Sequence, residues 1–386
     1  MASRFSFWML FGVCSFITLQ VFVDGNRKLS TSKLCPSPKS SFNFPLIWVK
    51  AMDSSSTIHY LWTTYPVPTI VVGYTTRKDV KVTVDCAALT NETSRNNSIR
   101  FSHSMNYTFA FAMPRIYEYD DDDDNVDLTD NSYMVVREFM DSTKWDVHLD
   151  ASAHQVTFTA NDSIILKFVA SHSVDRESKL PHEKHTSDSN RFSLTLNDVN
   201  VTTNSTRFAV EVNYMVELGY APDITTKKSI DDEYTPAIFK TVYAKVKGKY
   251  GKAYSQWKPI AYTKPELGRM CQTRAEIGSV RKVVNRSWNI GEVAMLSLNS
   301  LYQVYGLNVS FGITKDGFYQ KTKYLTWSGI VGYGDPATTS ISFLVKLIIS
   351  IGLGLPLAII VFGGMYVQIR KRCMKAKVNT SYATIN

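Results

Sequence analysis

Apolar and polar side chains alternate repeatedly along this chain. Phe208, Val210, Val212 and Tyr214 alternate with Arg207, Ala209, Glu211 and Asn213. Phe192, Leu194 and Leu196 do so with Ser193, Thr195 and Asn197, and Val80, Val82, Val84 and Cys86 with Lys81, Thr83 and Asp85. A period of two buries one set and solvates the other, which predicts β-strands. Val156, Phe158 and residues 164–169 continue the pattern around Asn161. Only residues 292–305, apolar near every third or fourth position, suggest a helix, and strand plus turn fits them equally well. Polar gaps at 171–190 and 219–235 read as loops, the second as a seam between two β lobes.

The two ends of the chain break this pattern. Residues 347–369 are apolar and uncharged, long enough to cross a hydrocarbon core of roughly 30 Å at about 1.5 Å per residue. Arg370, Lys371, Arg372, Lys375 and Lys377 follow on one flank only, which places that flank in the cytosol. At the other end, Arg4, an apolar block and the small residues around Val23-Asp24-Gly25 have the three parts of a secretory signal. The expected organisation is a signal peptide (1–25), an N-terminal β-rich lumenal lobe (26–220) and a second lobe (221–343). A transmembrane helix (344–369) and a cytoplasmic tail (370–386) complete it. The fold class is mainly β, a sandwich-like body with one C-terminal membrane helix. Within the span, Gly352, Gly354, Gly363 and Gly364 allow close helix approach in lipid.

Charge adds less than its total suggests. The net charge is +9, but five of those positive charges stand in the tail and serve topology, so nucleic acid is not an expected partner. The five consecutive aspartates at 120–124 read as a solvated run, since they lack the alternation and glycine of a calcium loop. Cys35, Cys86 and Cys271 remain in the body, and an oxidising compartment favours one bridge among them, with all three pairings open. Asn-x-Ser/Thr sequons are dense there, at Asn91, Asn96, Asn106, Asn161, Asn200, Asn204, Asn285 and Asn308. So many in one exported body predict heavy glycosylation.

The residues offer little catalytic chemistry. His182-Glu183-Lys184-His185 has the nearest approach to a metal spacing, without a supporting framework. Asp231, Asp232 and Glu233 are adjacent, whereas glycosidase acids face each other across a cleft. Nucleophile elbow, phosphate loop and dinucleotide fingerprint are all missing. No catalytic residue, cofactor site or metal site is nominated, and the chain reads as a non-enzyme. The body tryptophans Trp62, Trp145, Trp257, Trp288 and Trp327 are expected in sheet packing.

Several blocks together resemble the glycosylated lysosomal membrane protein family. They are Ser56-Thr57-Ile58-His59-Tyr60-Leu61-Trp62, Ser229-Ile230-Asp231-Asp232-Glu233-Tyr234-Thr235-Pro236-Ala237-Ile238-Phe239 and Gln256-Trp257-Lys258-Pro259-Ile260-Ala261-Tyr262. Asn308-Val309-Ser310-Phe311-Gly312, Tyr324-Leu325-Thr326-Trp327-Ser328 and the terminal Tyr382-x-x-Ile385-Asn386 complete the set. The resemblance runs along nearly the whole chain, and the Ser-Ile-Asp-Asp-Glu-Tyr block is its most specific part. It implies a single-pass type I lysosomal membrane glycoprotein, body in the lumen and C-terminus in the cytosol, without enzymatic activity. It further implies an accessory subunit that protects a lysosomal dipeptide transporter of the major facilitator superfamily from lumenal proteases. Tyr382 and Ile385 fit a tail sorting signal read by a clathrin adaptor, and homodimerisation is left open. A cell-surface receptor or adhesion ectodomain is the alternative that the tail signal opposes.

Overall fold

Side chains expected to face inward from their alternation do so in strand after strand. The computed structural model describes residues 26–35, 45–128, 134–138, 144–228, 240–268, 270–284, 289–297, 301–337 and 343–382. Residues 1–25, expected as a signal, the 229–239 block, Asn285, Trp288 and Ile385 lie outside these residues. Two antiparallel sheets make up the body. In the first, strands Lys28–Lys33, Leu46–Met52, Thr57–Thr63, Thr69–Thr75, Tyr107–Asp120, Thr206–Glu217 and Tyr302–Phe311 lie side by side in that order. In the second, the order is Trp145–Asp150, Gln155–Ala160, Ile164–Ala170, Ser189–Asn197, Tyr324–Tyr333, Lys252–Trp257, Lys240–Lys247 and Asp223–Lys228. Strand Gln272–Ile277 pairs with Ile260–Tyr262 on the second sheet and with Tyr302–Phe311 on the first, joining the two.

The mainly β sandwich is therefore as expected, but a division into lobes at 220/221 is not what forms. Strand Thr206–Glu217 is zipped along its whole length to Tyr302–Phe311, and Ser189–Asn197 to Tyr324–Tyr333. Strands from both sides of residue 220 thus alternate within each sheet, and the described residues from 26 to 337, apart from the gap at 229–234, fall in one compact unit. Within the expected 219–235 seam, Asp223–Lys228 is instead a strand of the second sheet, and 229–235 lie outside the described residues.

Aromatic rings fill the space between the sheets. Phe111 of the first sheet meets Phe192 of the second at 5.1 Å, and Phe311 meets Trp327 at 5.9 Å. Trp62 meets Phe168 at 6.2 Å across the same gap. Trp327 also stands edge-on to Phe192 and to Trp257. Such ring pairs bury large apolar areas and add an edge-to-face term of about 0.5–1.5 kcal/mol each.

The outer face of the first sheet is covered in turn. Leu61, Val71, Ala110, Ala112 and Met215 pack beneath Ile290, Val293 and Ala294 of helix Ile290–Ser297. A Cβ on Gly291 would come within 2.6 Å of both Ala110 Cβ and Met215 Sδ, so only glycine lets that helix lie this close. The helical reading of 292–305 is thus half right. The helix stops at Ser297, and strand Tyr302–Phe311 begins with its own two-residue period, burying Leu307, Val309 and Phe311. The alternation over 80–86 likewise shrinks to strand Val82–Val84. Asp85 ends it by accepting a hydrogen bond from the Ala88 amide, and so caps helix Cys86–Thr90.

Helix Phe343–Tyr382 belongs to a separate unit. Its segment Leu347–Met374 is long and apolar enough to cross a membrane. Leu353, Ile360 and Phe362 are exposed along it, as a lipid solvent would require.

Replacing Trp327 by Ala in the full chain should lower unfolding stability by about 3–5 kcal/mol. Urea titration followed by circular dichroism would read it. A loss within about 0.5 kcal/mol, typical of a surface position, would contradict this packing.

Candidate functional site

The aspartate run at 120–124 departs furthest from expectation. Asp121 is fully buried and pairs with the Nε of Arg207, itself buried at the start of the adjacent strand. The same guanidinium bonds Asp124 at 2.6 Å and both oxygens of Asp316 at 2.9 Å. Gly312, at φ +152°, makes room for it, since a Cβ there would lie 2.3 Å from Arg207 Nη1. The Asp121 carboxylate also accepts from the Asn125 and Val126 amides, and Asp124 from the Lys315 amide at 2.7 Å. The run is an ordered lock rather than a solvated tract, because a buried guanidinium demands anions and finds them there. Burial works against the charge on Arg207, yet hydrogen bonds to Asp121 and Asp316 raise its pKa. Asp316 is held low despite partial burial, by the Ile313 and Phe318 amides and by Arg207.

Around this end of the sandwich lie three sequons. Asn161 is exposed in the turn between Gln155–Ala160 and Ile164–Ala170, and Asn200 and Asn204 are exposed between Asn197 and Thr206. Asn91 and Asn96 are exposed on the cover outside the first sheet, and Asn106 is exposed just before Tyr107. Asn308 differs: it is half-buried within strand Tyr302–Phe311, opposite Glu211, and accepts from Arg281 Nη2 at 3.3 Å.

The cysteine question resolves to Cys35–Cys86, 51 residues apart, with Cys271 free and half-buried. Cys373 is exposed on the apolar helix, and Tyr382 is that helix's last residue.

The 182–185 segment does not assemble a metal site. Among the described residues no group of three or more His, Cys, Asp or Glu is placed to hold a metal ion. Glu183 is instead buried against the Lys258 amide, 3.1 Å from its Oε1. Burial, then the charge of Glu177, pushes its carboxyl well above the usual range.

The stretch just before it, residues 177–180, serves as one wall of a groove of about 340 Å³ on the outer face of the second sheet. The floor comes from outward positions that look merely solvated in the sequence. Lys167 lies opposite Ser193, and Ser193 opposite Ser328. Arg191 lies opposite Val169, and Thr195 opposite Thr326. Glu177, Lys179 and Leu180 rise on one side, and Pro265 and Leu267 on another. The sequence nominates none of these floor residues as a site, because their partners are set by strand register and not by local spacing.

His59 carries no local signal of a titrating role. It lies on the outer face of the first sheet, stacked on Trp48, whose Nε1 donates to His59 Nδ1 at 3.1 Å. Burial, helped by the charge of Lys50, pulls its pKa down to about 4. Protonation would place a second N–H where Nδ1 now accepts, so charging the ring breaks the Trp48 bond.

These features define a class: a β-sandwich body joined in one chain to a candidate membrane span, the one such helix among the described residues, with N-glycosylation sequons on its turns. The chain belongs to the glycosylated lysosomal membrane protein family, whose model matches residues 45–374. It is 28% identical to the glycosylated lysosomal membrane protein of Danio rerio, over 94% of this chain and 93% of that one. Similar matches are glycosylated lysosomal membrane protein A of Xenopus laevis, at 27% over 94% of both chains, and the Homo sapiens protein. The last is 23% identical over 88% of this chain and 86% of its own. These relatives are named as membrane glycoproteins and not as enzymes.

Exchanging Arg207 for Met should destabilise the body by about 3–5 kcal/mol, since it leaves Asp121 buried and unpaired. Arg77→Met, which breaks a solvent-exposed pair with Asp79, should change the urea midpoint little. Equal effects of the two would contradict the lock.

For His59 the folded pKa lies below the unfolded value near 6.5. The unfolded chain then takes up the proton first, so this stability is present above about 6.5 and lost as pH falls toward about 4. At pH 5 the loss is about 2 kcal/mol, from 1.36 kcal/mol per pH unit. Glu183 acts in the opposite sense, contributing most in acid and less as pH rises. Thermal unfolding of His59→Gln between pH 7 and 5 should therefore show a shallower acid loss than the parent chain. An unchanged slope would remove His59 from the account.

Proposed function

We propose that this chain is a type I lysosomal membrane glycoprotein whose lumenal body stabilises a membrane partner and shields it from proteolysis. The partner in this reading is a lysosomal dipeptide transporter of the major facilitator superfamily, and the body does no chemistry of its own. The carrying observation is where the sequons fall. Six described sequon asparagines are exposed at turns, helix ends and strand entrances, where proteolytic nicking otherwise concentrates. Between them the described residues are mostly paired strand over a large shared core, which leaves little of that backbone free for a protease to grip. Membership of the family supports the compartment. The candidate span supplies the anchor, and its small residues Gly352, Gly354, Gly363 and Gly364 suit contact with a partner's helices. Tyr382 and Ile385 would be read by a clathrin adaptor on the cytosolic side.

Affinity purification of the full chain from lysosomal membranes tests the reading. The transporter should co-purify, and its lysosomal half-life should shorten when the chain is depleted. Absence of any such transporter from the eluate would sink the accessory role. Tyr382→Ala should move the protein to the plasma membrane; unchanged residence in lysosomes would remove the tail signal.

A further inference from the structure

The groove on the outer face of the second sheet is unused by the reading above, and its chemistry is specific. Its lining carries three cations, Lys167, Lys179 and Arg191, against one carboxylate, Glu177. Arg191 donates from Nη1 to Glu177 at 2.8 Å, which leaves its Nε buried without an acceptor. Lys167 is half-buried in the floor and makes no ion pair among the described residues. The Tyr262 hydroxyl is buried beside the Gln272 amide, and neither forms a well-aligned hydrogen bond. Buried polar atoms are nearly always paired, so the unpaired Nε of Arg191 on the lining, beside a Lys167 without an ion pair among the described residues, calls for an acceptor.

The surroundings narrow the kind of acceptor. None of the exposed described sequons stands on this face. They lie at the two ends of the sandwich or on the cover outside the first sheet, so glycans leave the groove open. A volume of about 340 Å³ is near the small end of ligand sites, room for one small solute and not for a folded element. Leu180 and Leu267 on the walls suit a short carbon skeleton.

We propose that this groove binds a small solute bearing an oxyanion, a carboxylate, phosphate or sulfate, held by Lys167 and the free Nε edge of Arg191. The Tyr262 hydroxyl supplies a further donor. A guanidinium already fixed on one edge by Glu177 presents its other edge without rotamer loss, and Lys167 adds a second positive charge. The site would hold its solute without transforming it.

The test uses the full-length protein in detergent, titrated at constant ionic strength with sodium succinate, inorganic phosphate and inorganic sulfate. Binding is read by calorimetry and by thermal shift. At least one probe should bind saturably, and the strongest of the three identifies the anion. Lys167→Gln should weaken that binding about tenfold or more. Arg191→Lys, which keeps the charge but removes Nε, should do the same. Lys252→Gln, at a distant exposed ion pair with Asp335, should leave it unchanged. Lys167→Gln breaks no ion pair, so its unliganded melting point should match the parent and separates lost binding from lost fold. Failure of all three probes to saturate would overturn the site, as would binding unaffected by both groove variants. Binding of a hexaglutamate peptide without any of the three small anions would overturn it in favour of an acidic protein segment.

Discussion

The structure depends on one contact above others: the aromatic seam where Phe111, Phe311 and Trp62 of one sheet meet Phe192, Trp327 and Phe168 of the other. Neither sheet is amphipathic enough to stand alone. Each exposes an apolar face that only the other can cover, and the two are built from strands drawn from the whole length of the body. Closing the seam therefore closes long loops in one step, and the entropy of that closure is recovered only when both halves are in place. This is why the described residues before and after 220 fall in one compact unit despite the polar stretch between them.

Charge is then placed around the seam and not within it. Arg207 gathers Asp121, Asp124 and Asp316 at one end. At the other end Arg27, just after the predicted signal, is buried against Asp53 and Asp188. Each guanidinium ties together segments more than a hundred residues apart, so each acts as a clasp on the sandwich. Such clasps add little net stability over apolar substitutes, but losing one partner is costly. They specify which ends meet. The buried titrating groups His59 and Glu183 pull in opposite directions as the medium acidifies. That opposition limits the net change in the stability of the body as pH falls.

Much of this was legible beforehand, and the reasons for the rest are physical. Inward residues such as Phe208, Val210, Phe192 and Leu194 show themselves by period alone, because alternation is a local property of a half-buried strand. The apolar run from Leu347 is equally local. Pairing is not local: nothing near Thr206 says that its strand will run against Tyr302–Phe311. That gap produced both the mistaken lobes and the solvated reading of the aspartates, whose partner Arg207 lies 86 residues from Asp121. The groove escaped notice for a similar reason. Lys167, Ser193 and Ser328 each occupy an ordinary outward position, and only register sets them side by side.

The account stands or falls on whether strands from both halves of the body share one cooperative core. Native-state hydrogen exchange on the full chain, read by mass spectrometry, measures this directly. Amides in Ser189–Asn197, Thr206–Glu217, Tyr302–Phe311 and Tyr324–Tyr333 should exchange only through a common opening, with one free energy. Exchange of the strands after residue 220 as a separate, less stable unit, while those before it stay protected, would contradict it.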